Sequence, residues 1–76
     1  MEGELGKRIR AARAYGQYSQ LELARKLGIS VGTLVQYEKG HREIPSMLRP
    51  GLAAQVVELT GMDERWVMAA VGGPGV

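Results

Sequence analysis

The chain has 76 residues, no cysteine, one histidine and a net charge of +2. One small domain is implied, near the lower limit of what folds without covalent staples. Disulfides and thiolate metal centres are excluded, as is a metal site built on two histidines of one chain.

Residues 4–15 read as a first helix, because Leu5, Ile9 and Ala12 repeat at i, i+4 and i+7 and form one apolar stripe. Lys7, Arg8 and Arg10 lie off that stripe. Gly16 is expected to end the helix, with Tyr15 largely packed and Tyr18 partly exposed. Ser19 and Glu22 have the S-x-x-E spacing of a capping box, which opens a second helix over 20–27. Leu23, Ala24 and Leu27 share its inner face. Gly28 takes the left-handed position that closes it. Ser30 caps a third helix, 31–39, which turns Leu34 and Tyr37 inward and stops at Gly40. Only three residues separate Leu27 from Val31. The two helices must therefore cross steeply, with the small Ala24 permitting close approach.

Lys39 to Pro45 reads as a loop anchored by Ile44. A fourth helix is expected over 47–60, with Leu52, Val56 and Leu59 as its stripe and Pro50 in its first turn. Asp63 caps a fifth helix, 64–71, and Glu64 suits its positive end. This last helix carries six apolar residues in a row, Trp66 to Val71. Trp66 and Ala70 are expected in the core, Val67 and Val71 beside them, and Met68 on another face. Two readings stand side by side. Either a symmetric partner covers Trp66, Val67, Met68 and Val71, or the helix is sunk deep in its own core. The domain is expected to occupy 1–71, with 72–76 as a flexible glycine-rich tail.

Charge is unevenly placed. Residues 7–42 hold eight Lys or Arg against two acids, a net of +6, while the remainder holds two Arg against six acids, a net of −4. Cations gathered around the helix pair point to a polyanionic partner. The serines serve as helix caps rather than nucleophiles, His41 has no nucleophile at a motif spacing, and no phosphate loop is present. An enzyme is not expected, nor is a metal or other cofactor. No apolar run approaches the roughly 20 residues of a membrane span, and MEGELGKRIR lacks the apolar centre of a signal peptide. A soluble protein of a bacterial cytoplasm, with no membrane partner, is the expectation.

The stretch SQLELARKLGIS followed by YEKG resembles the helix-turn-helix of the Cro/cI/Xre family of DNA-binding proteins. The matching positions are Gln20, Leu23, Ala24, Leu27, Gly28, Leu34, Tyr37 and Gly40. The resemblance implies an all-α, five-helix, lambda-repressor-like domain whose third helix enters the DNA major groove. It implies base reading by Gln20, Val31, Gly32 and Gln36. Gln36 suits adenine and the Val31 methyls suit a thymine methyl, with a core position for Val31 as the plainer alternative. Phosphate contacts are implied for Arg10, Gln17, Ser30, Thr33, Lys39, His41 and Arg42, and a buried ion pair for Arg13 with Glu38. A homodimeric repressor on a pseudo-palindromic operator, most like a small phage Cro protein, is the leading expectation. An Xre-type antitoxin, binding a toxin through the last helix and regulating its own operon, is the alternative. A helix-turn-helix serving only protein contacts fits the charge distribution less well.

Overall fold

The computed structural model describes residues 4–72 and contains, among them, five helices and no strand. Helix α1, Glu4–Tyr15, buries Leu5, Gly6, Ile9 and Ala12 along one stripe. It packs on α3, α4 and α5, so it forms the back wall of the molecule. Gly6 lies where α1 crosses α3. A methyl group there would overlap the Tyr37 carbonyl oxygen, so only glycine lets the two backbones meet.

Helices α2, Gln20–Leu27, and α3, Val31–Lys39, form the steeply joined pair. Both ends of the capping box are made. The Glu22 N–H donates to Ser19 Oγ at 3.0 Å, and the Ser19 N–H donates to Glu22 Oε1 at 2.8 Å. Gly28 and Gly40 both have φ 75°, and each closes its helix in the same way. The N–H beyond each glycine reaches back across the last turn, Ile29 to Ala24 O and His41 to Gln36 O, at 3.0 Å.

Helix α4 runs Arg49–Thr60, two residues shorter at its start than expected. The chain before it makes i→i+3 bonds, Leu48 N–H to Pro45 O and Arg49 N–H to Ser46 O. That tight turn carries the chain into α4, and Pro50 falls in the first helical turn. Helix α5, Glu64–Met68, is three residues shorter than the expected 64–71. After Met68 the bonds tighten to i→i+3, Ala70 to Val67 and Val71 to Met68, ahead of Gly72. The expected tail lies, except for Gly72, outside the described residues. None of these helices is long and apolar enough to cross a membrane.

The core gathers Leu5, Ile9, Leu23, Leu34, Tyr37, Ile44, Val56 and Val67 with small residues between them. Two aromatic placements differ from the sequence reading. Tyr15 is 64% exposed rather than packed. The last turn of α1 presses Gly16 onto Thr60, and even a Cβ there would lie 3.0 Å from the Thr60 Cα. That seam has no room for a ring, so Tyr15 stays outside. Trp66 is 38% exposed, and Val67, not Trp66, joins Ala70 in the core. The seat between α1 and α4 takes a branched aliphatic side chain. The indole rests on the rim beneath Arg8, whose guanidinium lies 4.9 Å from the ring centroid and donates to the Trp66 carbonyl.

Candidate nucleic-acid interface

The N-terminal edge of α3 is bare. Val31 is 39% exposed, and Gly32 and Gln36 are exposed beside it. A Cβ built on Gly32 would meet nothing within 4 Å. Val31 is therefore not a core residue, and Gly32 is not required for packing within the chain. Ser30 holds this edge in shape. Its Oγ accepts the Thr33 N–H at 3.1 Å and its hydroxyl lies 2.9 Å from Thr33 Oγ1. Arg42, from the loop after α3, reaches Thr33 Oγ1 at 3.5 Å and lies 5.8 Å from the Tyr37 ring centroid. Ser30, Thr33 and Arg42 thus form one polar cluster at the start of α3.

A second cluster joins three elements around a nearly buried carboxylate. Glu38 is 3% exposed. Arg13 binds it in a fork, Nε to Oε2 at 2.8 Å and Nη2 to Oε1 at 3.1 Å. The third guanidinium nitrogen donates to the Tyr18 carbonyl at 3.0 Å, which fixes the α1–α2 turn as well. Gln20 Nε2 donates to Glu38 Oε1 at 3.1 Å. No buried side-chain polar atom among the described residues lacks a partner. The pairing of Arg13 with Glu38 follows the sequence reading. The Gln20 contact was not anticipated, because Gln20 was expected to read a base. Glu38 accepts one N–H of the Gln20 amide, which leaves the second N–H and the carbonyl oxygen of that amide for another partner.

Arg10, Gln20 and Lys39 line one shallow cleft of about 100 Å³ together with the Arg13–Glu38 pair. Gln17 sits exposed in the α1–α2 turn with φ 61°, an uncommon conformation for a residue with a side chain. Gly16 was expected to end the first helix, but the left-handed residue of the turn is Gln17. Gly16 is instead needed for close approach to Thr60. Lys39, His41 and Arg42 are all exposed around the end of α3. Two other cations are committed elsewhere. Arg8 pairs with Glu4 and Trp66, and Arg49 donates to the Ile44 carbonyl at 2.8 Å. The Ser19 N–H, as donor, holds the Glu22 carboxyl below its usual range, so a negative charge already sits at the start of α2.

The α5 residues proposed from sequence for a partner surface divide. Val67 is enclosed and cannot face a partner. Met68 and Val71 are half-buried against the core, and Trp66 shares its face with Arg8. Helix α5 thus sinks Val67 into the core, with Ala70 just beyond it, and leaves Glu64, Arg65 and Trp66 exposed.

A family model described as a helix-turn-helix domain matches residues 6–73. The chain belongs to the helix-turn-helix domain family. That family supports DNA binding by a regulatory protein as the class of function. No curated protein and no solved structure matches the chain. In this helix-turn-helix domain α3 is the second helix of the motif, the one that lies in the major groove in DNA complexes of the class. Its free edge exposes Val31, Gly32 and Gln36, three of the four residues expected to read bases. Two polar clusters, Arg10–Gln20–Lys39 and Ser30–Thr33–Arg42, lie to either side of this edge.

Proposed function

We propose that this protein is a transcriptional repressor that occupies a pseudo-palindromic operator in double-stranded DNA as a homodimer, in the manner of a small phage Cro protein. It acts in the cytoplasm of a bacterial host by excluding polymerase from the promoter. The bare edge of α3 carries this reading, since an exposed helix start with no protein neighbour suits base edges. Gln36 reads adenine through two hydrogen bonds, and Val31 packs on a thymine methyl. Gly32 lets the backbone approach. Gln20, held by Glu38, turns its carbonyl oxygen toward an amino group of adenine or cytosine. Arg10, Gln17, Ser30, Thr33, Lys39, His41 and Arg42 hold phosphates.

Dimensions support two copies. The Cα framework is 32 Å in its longest direction. Half-sites of one palindrome lie about 34 Å apart, so one copy cannot fill both. The test is selection of bound duplexes from a random pool at two salt concentrations. Enrichment of inverted repeats with one helical turn between centres is the expected result. Enrichment of no sequence at either salt would reject the reading. Steady copurification with a small nuclease-like partner would favour the antitoxin instead.

A further inference from the structure

The surface beside the helix pair holds an apolar groove of about 270 Å³. Leu27, Ile29 and Tyr37 come from the α2–α3 side, and Gly51, Leu52 and Gln55 from α4. Next to it stands a projecting apolar side chain. Met47 is 92% exposed, and Leu48 behind it is also exposed. Both belong to the same groove rim. No base-reading or phosphate residue named above lines this groove.

We infer that this groove is the seat of a second copy of the chain, with Met47 of each copy inserted into the groove of the other. The inference rests on the homodimer proposed above and gives it a location other than α5. Two observations select a second copy as the occupant. A twofold interface must be complementary to itself, and here a knob and a hole lie side by side in one patch. A roughly 150 Å³ apolar cavity holds a benzene molecule, so this groove is ample for a methionine side chain.

Charge is the second observation. A twofold contact sets a surface against its own copy, and like charges near the axis repel. Every residue lining the groove is uncharged. The α5 surface, by contrast, carries Glu64, Arg65 and the Arg8–Glu4 pair.

Area sets the strength of the contact. The accessible surface is 4750 Å². A standard interface takes about 800 Å² from each partner, roughly a sixth of that surface. One knob and one groove cover less. The dimer is therefore weak in free solution and is tightened when two copies share one duplex.

The test needs no DNA, so it can fail without touching the DNA-binding reading, and the reverse also holds. Sedimentation equilibrium from about 10 µM to about 1 mM spans a dissociation constant on the order of 100 µM. The wild-type chain is expected to pass from monomer to dimer in that range. Met47→Gln and Gln55→Glu are each expected to weaken association tenfold or more with unchanged melting temperature, since both positions are exposed. The chain has no native cysteine. A mixture of Met47→Cys and Gln55→Cys should therefore oxidise mainly to the mixed disulfide dimer. A wild-type chain that stays monomeric throughout overturns the inference. So does a Met47→Gln variant that dimerises normally, or faster self-cross-linking by Trp66→Cys, which would place the axis at α5.

Discussion

Glu38 accepts from Arg13 twice and from Gln20 once, and it does so almost wholly out of water. A carboxylate in that position is tolerable only while its partners remain. Replacing either member of the Arg13–Glu38 pair by alanine is expected to cost about 3 kcal/mol, because the survivor is left desolvated. The double variant should lose less than the sum of the two, with a coupling of roughly 1–2 kcal/mol in urea unfolding. Additive losses would show that the fork contributes nothing beyond its separate parts. The same carboxylate orients Gln20, so Glu38→Gln, which also leaves Arg13 without its counter-charge, should lower stability and change the bases that are selected. Selection of bound duplexes by that variant would reveal the change.

Helices in this molecule are brought together by absent side chains as much as by present ones. Gly6 admits the Tyr37 backbone against α1, and Gly16 admits Thr60. Gly6→Ala must push α1 off α3, and an overpacked contact against rigid backbone costs about 2–3 kcal/mol. Thermal unfolding is expected to show a correspondingly lower midpoint; an unchanged midpoint would mean that α1 shifts freely. Capping gives a second expectation at this scale. Hydrogen bonds from Ser19 lower the Glu22 carboxyl, and the Arg8 guanidinium lowers that of Glu4. A carboxyl lowered in the folded state contributes stability above its unfolded value of about 4.5. That contribution is lost as pH falls through the lower folded value. Stability should therefore decline below about pH 4.5, and Glu22→Gln should flatten part of that slope in acid titrations followed by circular dichroism.

At the scale of the molecule, charge divides between two parts of the chain. The segment with net +6 supplies α1, the helix pair and the following loop, while the acidic remainder builds most of α4 and α5. DNA affinity should fall steeply with salt. If six phosphates are neutralised, the log–log slope is about −5, from roughly −0.9 per phosphate. Replacing Lys39 and Arg42 by alanine together should reduce that slope by about 2. A flat salt profile would show that these cations only solvate the surface.

The residues from Ser19 to Gly40 declared themselves in the sequence because their rules are local. Caps, glycine stops and a 3.6-residue stripe involve positions within a few residues of one another, so both helices of the motif have the bounds expected of them. The exposed edge at Val31, Gly32 and Gln36 follows from the same local order. What depended on the tertiary structure was any choice between neighbouring side chains for one space. Tyr15 yields to Gly16 because α4 arrives too close for a ring, and Val67 rather than Trp66 takes the buried place on α5, with the indole resting against Arg8. Gln20 faces Glu38 because α2 and α3 cross at that point. The groove beside Met47 is likewise built from segments far apart in the chain. Periodicity names the inward face of a helix, but the shape of the opposing surface decides which residue on that face is admitted.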